Sequence, residues 1–411
     1  MIFLEATTAA ISYLALALFL GHLVAAGFLL PRGEPARLRL SLIVGATGAL
    51  ILFLLDSAAA LILLGSKLQP GFPSGELLWR YLTLTQSGQV WLAREVYGAL
   101  LAIFMALLLA CKNAGTALLR TATLLALPLL ASRSLASHAV AVREDMALAV
   151  SSDALHLLAT ALWGGGLIAL WHSLRFAKSQ DGNAPFAARV VVGRFSNLAL
   201  ASVPVLFLTG LYQSWTHVGS LPALVTTDYG KVLLLKLAFF SLMLTVGAFN
   251  FFATKSLLSR ADQKTAQAAI QKAVRRIGIE SVLGVAIFSV TGLLTLLPPG
   301  VHALHQISAA SAGTSPQPLQ PAEGARIKIL SPAPDQIFSG DQVPLKFSFI
   351  KGKRGHHVHA YLDGELMGMF ESEQGTLNGV APGRHTLELR VVAADHQTEL
   401  AAKDRVEFVV K

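Results

Sequence analysis

The 411-residue sequence holds one cysteine, Cys111, and little charge: Asp, Glu, Lys and Arg together make up 14% of it. A lone cysteine excludes a disulfide framework and a thiolate metal cluster. So low a charged fraction, against about a quarter in ordinary globular domains, excludes a typical soluble composition. There is no glycine-rich phosphate loop, which argues against nucleotide-driven pumping. No Ser/His/Asp arrangement stands out either, so an enzyme is not predicted. The net charge of +9 does not point to nucleic acid, because the basic residues sit in short loops between apolar blocks.

What fills the sequence is apolar residues, 54% of the total. They gather into blocks of roughly 20 to 28 residues, the length that crosses a hydrocarbon core about 30 Å thick. A soluble core has no need of helices apolar all round for that length. The blocks predict spans over about 7–30, 40–65, 90–111, 114–136, 148–173, 195–217, 228–253 and 274–297. Punctuation follows several of them, at Pro31, at Gln69-Pro70-Gly71 and at Pro298-Pro299-Gly300. MIFLE carries no positive residue and Thr7–Leu30 is longer than a signal-peptide apolar region, so the first block reads as a retained span.

Basic residues then orient the bundle. Arg32, Arg37 and Arg39 lie in the 1–2 loop, and Arg175, Lys178, Arg189 and Arg194 in the 5–6 loop. The 7–8 loop has Lys255, Arg260, Lys264, Lys272, Arg275 and Arg276, whereas the alternate loops hold only Lys67 and Arg80, Arg133 and Arg143, and Lys231. The positive-inside rule places the richer loops in the cytoplasm and both termini outside, in the periplasm of a Gram-negative inner membrane.

Beyond Gly300 the composition changes. Ser308–Glu323 is rich in Ser, Ala, Pro and Gln, as in a flexible tether. Alternating segments follow at Ile327–Leu330, Val343–Ile350, His357–Leu362, Thr386–Val392 and Arg405–Val410, with turn signals at Asp363-Gly364 and Pro382-Gly383. The expected organisation is an all-α polytopic membrane bundle of about eight helices over 1–300 in contact with lipid, a periplasmic linker over 301–324, and an all-β immunoglobulin-like sandwich over 325–411.

An ionisable side chain at membrane depth costs at least roughly 2.5–3.5 kcal/mol, so each one needs a partner, a wet cavity or a function. Asp153, His156 and Trp163 fall on one face of the fifth span, in its outer half, with His138 just outside the fourth span and Asp56 in the outer half of the second. Neutral imidazole beside carboxylates suits a transition metal; equally, Asp153 could serve only to orient His156. His22 and Glu280 lie towards the inner side and Lys236 nearer the outer half. These are stations for an ion or proton path, or else a snorkelling lysine and a glutamate paired with Arg275 or Arg276. Arg94 and Glu95 read as interfacial anchors, and Gly164-Gly165-Gly166 as a place of close helix approach. In the β segment His357 and His359 share one strand face and His356 the other, Met367 and Met369 share a face of the next strand, and His385 and His396 follow. Imidazole with thioether suits Cu(I) or Cu(II), although such residues on small sandwiches also serve as plain surface or core.

Several runs resemble the CopD (PcoD-like) copper-resistance membrane family. They are Ser137-His138-Ala139, Asp153-Ala154-Leu155-His156-Leu157-Leu158-Ala159, Ala161-Leu162-Trp163-Gly164-Gly165-Gly166-Leu167, Arg194-Phe195-Ser196, Thr209-Gly210-Leu211 and Thr227-Asp228-Tyr229-Gly230-Lys231-Val232-Leu233-Leu234-Leu235-Lys236-Leu237, followed by Asn250 and Glu280. The likeness is strong over 130–298 and topological before that. It implies copper handling at an inner membrane, in an uptake component working with a periplasmic CopC-like chaperone, with His138 and His156 as leading copper ligands and Trp163 beside them. His22 stands where the family has a small residue. The C-terminal segment, with His357-Val358-His359 and Pro382-Gly383-Arg384-His385-Thr386-Leu387, is similar to small Ig-like domains and unlike CopC. Tethered, it would hold a copper site at roughly millimolar effective concentration near the membrane mouth. Two other readings stand beside copper transport: a b-type haem protein with paired axial histidines, and a membrane-anchored copper-binding module that transports nothing.

Overall fold

The computed structural model describes residues 2–31, 36–68, 71–111, 115–135, 146–178, 184–260, 265–300, 319–338, 340, 342–370, 372–377, 380, 382–393 and 398–410. His138 and His396 lie outside the described residues, as do Arg32, Gln69, Pro70, Arg143, Lys264 and the first part of the expected linker, 301–318. The chain divides into two compact units, Met1–Ala303 and Leu304–Lys411.

In the first unit the described elements are all helices. Its long helices are α1 (Ile2–Val24), α2 (Ala36–Leu68), α4 (Gln86–Ala110), α5 (Thr116–Ser134), α6 (Met146–Thr160) running on into α7 (Gly166–Lys178), α8 (Ala184–Val218), α10 (Asp228–Arg260) and α11 (Ala266–Leu294). Short α3 (Gly75–Leu84) and α9 (Leu221–Thr226) link them. Hydroxyls cap α3, α4 and α9: Ser74 accepts from the Leu77 amide, Thr85 from Gly88 and Ser220 from Ala223. Among the described residues seven helices are long and apolar enough to cross a membrane. The fourth predicted span is formed as α5, but Arg120, Pro128 and Arg133 dilute its 19 residues. It still packs Leu119, Ala126 and Leu129 into the common core.

The helix α1 is the hub. In its most apolar window 67% of residues are buried, against 11% for Asp228–Thr254, whose Leu235, Phe249 and Phe252 face outwards as lipid-contacting residues do. Small residues permit the approach. A Cβ on Gly21 would strike the backbone of Gly165, and one on Gly165 the carbonyl of Ala17, so α1 and the Gly164-Gly165-Gly166 run touch backbone to backbone. One π turn, Ala161–Gly165, makes this crossing, and a second, Ala25–Leu29, follows it on the α1 side.

The second unit is a sandwich of the immunoglobulin-like class. One sheet has the order β1-β3-β6, from Arg326–Ser331, Val343–Ile350 and Gln374–Leu377. The other has β2-β8-β7-β4-β5, from Ile337–Phe338, Glu399–Val410, Gly383–Ala393, Gly355–Leu362 and Glu365–Phe370. Alternation sets the core: Val343, Leu345 and Phe347 of β3 meet Val358, Ala360, Leu389 and Phe408 of the facing sheet. The predicted strands are present; β2 and β6, of two and four residues, are too short to show a period.

Candidate functional site

In the membrane unit the chemistry gathers around the Ala161–Gly165 π turn. Trp163, 5% exposed, is held edge-on against Phe240 with ring centroids 5.7 Å apart. It lines two cavities and is the residue common to both. The first, of about 400 Å³, has His156, Gln213, Tyr229 and Lys236 on its wall. The second, of about 370 Å³, has Ser196, Asn250, Thr254 and Glu280. Along α10 the first spans Tyr229 to Met243 and the second Leu244 to Thr254; along α8 the first spans Leu206 to Ser214 and the second Val192 to Pro204. The cavities therefore follow one another along the same helices, with the indole between them.

His156 is fixed by a hydroxyl the sequence reading did not assign. Its Nδ1–H donates to Thr209 Oγ1 at 2.9 Å, and the Thr209 hydroxyl donates to the Val205 carbonyl at 2.6 Å. Nδ1 is thus the protonated nitrogen, and the lone pair sits on Nε2, which makes no hydrogen bond among the described residues. Fixing a tautomer through the far nitrogen is how metal-binding imidazoles are commonly prepared. Asp153 does not do this job. It shares the helical face with His156, but its carboxylate accepts from Gln213 Nε2 at 3.3 Å, on α8. Lys236 lines the same cavity and feels the Asp153 charge.

Below the indole, Glu280 is 4% exposed and its Oε2 accepts from Asn250 Nδ2 at 2.8 Å. It is not paired with Arg275 or Arg276; the Arg276 guanidinium lies over the Phe249 ring, 5.5 Å from its centroid. Asn250 turns the remaining reach of its amide to the Arg276 carbonyl at 3.4 Å. Thr254 Oγ1 is buried there and has no hydrogen-bond partner among the described residues.

His22 does not line the His156 cavity. It meets His172 of α7, with His22 Nε2 and His172 Nδ1 3.3 Å apart, while His22 Nδ1–H donates to the Leu18 carbonyl at 2.8 Å. His172 escaped the sequence reading although it sits in an apolar span, where the cost of an ionisable group should have marked it. Bis-histidine haem has no room here, since 3.3 Å between nitrogens leaves no place for a porphyrin plane. Asp56 is buried, accepts a hydrogen bond from Ser12 and feels the charge of Arg133, and among the described residues its other carboxylate oxygen finds no partner. Arg94 is no surface anchor: at 6% exposure it donates to Ser57 Oγ at 2.8 Å, and Ser57 donates to Glu95 at 2.6 Å, tying α4 to α2.

In the β unit His357 and His359 are buried on one face of β4, their Nε2 atoms 3.0 Å apart. A register shift between Gly355 and His357 turns His356 towards them, its Nδ1 3.4 Å from that of His357, so it does not point away as strict alternation required. Met369 stands opposite His359 in the ladder, whereas Met367 occupies a second bulge and is 38% exposed, so the two methionines do not act as a pair. His385 belongs elsewhere: its Nδ1–H donates to Asp363 Oδ2 at 2.7 Å beside the Asp363-Gly364 turn. Among the described residues no point gathers three or more His, Cys, Asp or Glu side chains in a metal-holding group.

Comparison with known proteins decides the family. Residues 4–147 match the model for the N-terminal domain of copper resistance protein D-like proteins, and residues 189–294 match copper resistance protein D. The chain belongs to the copper resistance protein D-like family. It is 30% identical over 252 residues to the copper transport protein CutJ of Bacillus subtilis (strain 168), covering 61% of this chain. The match spans 44% of that relative's length. Among solved structures, a fibronectin(III)-like module structure of Clostridium thermocellum CbhA aligns with 21% of this chain and 94% of its own, at 18% identity and a TM-score of 0.18.

Proposed function

We propose that this copper resistance protein D family member carries copper ions inward across a bacterial inner membrane, taking them up from the periplasmic side. The observation that carries the reading is the pair of successive cavities meeting at Trp163, with a tautomer-fixed imidazole on one and a buried carboxylate on the other. Polar groups this deep in an apolar bundle are costly and call for a partner, a wet cavity or a function. Copper enters the outer cavity and is bound by His156 Nε2, with His138 as a further ligand at that mouth. Passage past the indole delivers it to Glu280, whose carboxylate offsets the cation charge. Lys236, near Asp153, sets the charge of the outer cavity and disfavours residence of more than one cation there.

The distribution of positive loops supports a reading in which both termini, and with them the β unit, lie in the periplasm. There the His357, His359 and Met369 side chains bind copper, a donor set of imidazole and thioether that prefers this metal over harder cations. A CopC-like chaperone is the expected donor of the ion. Uptake of copper into vesicles containing the purified protein tests the whole reading. His156→Ala and Glu280→Gln are each expected to lower the rate at least tenfold; wild-type rates in both would overturn it.

A further inference from the structure

The facing histidines His22 and His172 are not part of the cavity line, and nothing in the path requires them. They lie just past the α1 crossing, one residue beyond Gly21 on α1 and seven beyond Gly165 on the other helix. We infer that they form a second copper site, in which His22 Nε2 and His172 Nδ1 bind one ion together.

Distance makes the first case. Two metal–nitrogen bonds of about 2.05 Å place their nitrogens about 2.9 Å apart at a right angle and about 3.3 Å apart at the tetrahedral angle. The observed separation is 3.3 Å. Preparation makes the second. His22 Nδ1–H is committed to the Leu18 carbonyl, so its lone pair is on Nε2 and directed at His172. In the metal-free pair His172 Nδ1–H donates to that lone pair; to bind metal, His172 needs only to move its proton to Nε2. No net proton leaves the pair, and neither ring has to be charged. That is an inexpensive exchange inside a bilayer, where releasing or acquiring charge is penalised.

Packing makes the third. The His22 ring lies over Gly45 of α2, where a Cβ would come within 2.7 Å of Cδ2. The absent side chain is the space the imidazole occupies. Trp171 packs onto Gly278 of α11, while the next residue of α7, His172, meets His22 of α1. Two protein nitrogens leave the remaining coordination positions to exchangeable ligands, which suits a site that passes an ion on rather than one that stores it.

The site depends on the transport reading only for the identity of the metal. Titration of the purified full-length protein in detergent with Cu(I), in competition with bathocuproine disulfonate, tests it. His22→Gln and His172→Gln should each lose one equivalent of copper, and the double variant no more than one. His156→Ala should keep that equivalent. Full wild-type stoichiometry in the double variant would sink the site. Gln at 172 retains an N–H for His22 Nε2, which guards the fold. On the unaltered protein, Cu(I) should also protect His172 from carbethoxylation by diethylpyrocarbonate, read by mass spectrometry; equal modification with and without copper counts against the site independently. Vesicle uptake by the same variants separates the two ideas, since uptake can fail while this equivalent is still bound.

Discussion

Replacing Thr209 by valine keeps shape and removes one oxygen. The structure allows the consequence to be sized. His156 Nδ1–H loses the acceptor 2.9 Å away, and the Val205 carbonyl loses a donor it shares with its helix. Measured hydrogen bonds between membrane helices average about 0.6 kcal/mol and reach about 1.7, so folding should weaken by about 1 kcal/mol and the bundle should still form. Copper affinity should suffer more. With no acceptor for Nδ1–H, the Nε2–H tautomer competes, and loss of such a supporting partner typically lowers metal affinity 10- to 100-fold. Competition titration of the full-length protein, paired with vesicle uptake, measures both. Thr209→Ser keeps the hydroxyl and should restore most of the loss. Wild-type affinity in Thr209→Val, with the serine variant indistinguishable from it, would refute the assignment of His156 as a prepared ligand.

Other outcomes follow from named contacts. Glu280→Gln keeps an oxygen for Asn250 Nδ2 and removes only charge, so copper uptake should fall at least tenfold while thermal stability in detergent changes little; a matched loss of both would make Glu280 structural. Gly165→Leu has no space against the Ala17 carbonyl and should abolish the monodisperse folded species on size exclusion. In the β unit, His359→Ala should cost that unit its copper, leaving the full chain with fewer bound equivalents than wild type. Tyr361 is held protonated well above the usual phenol range, chiefly by burial and then by its hydrogen bond to Glu399. Its raised value means a contribution fully present below about pH 10, the unfolded value, and lost as pH rises further. The absorbance gain near 295 nm at pH 10–11 should be the same in wild type and Tyr361→Phe, and a smaller gain in the variant would contradict the burial argument.

The bundle and the sandwich were legible because length and period are one-dimensional properties: a 24-residue apolar block or an alternating Val343–Ile350 declares itself without knowledge of its neighbours. Residue pairs across helices were not. Asp153 and His156 share a face by spacing, yet each bonds to α8, through Gln213 and Thr209 respectively. Nothing in the α6 sequence encodes which helix lies alongside. His22 found its partner 150 residues away in His172. In the β unit alternation correctly put His357 and His359 together but failed at His356 and Met367, because a bulge adds a residue without altering composition.

The π turn at Ala161–Gly165 carries a consequence for any helical wheel drawn on this segment. At about 100° per residue, His156 and His172, sixteen positions apart, fall about 160° from each other on a regular α-helix. One residue accommodated in a wide turn sets the phase back by about 100° and leaves them about 60° apart. The two imidazoles thus occupy adjoining sectors, one turned to α8 and the other to α1. Deleting a single residue from the turn would return the segment to a regular α-helix with the same angle of about 60°, whereas straightening the turn at unchanged length would swing every side chain of α7 by more than a quarter revolution and part His172 from His22.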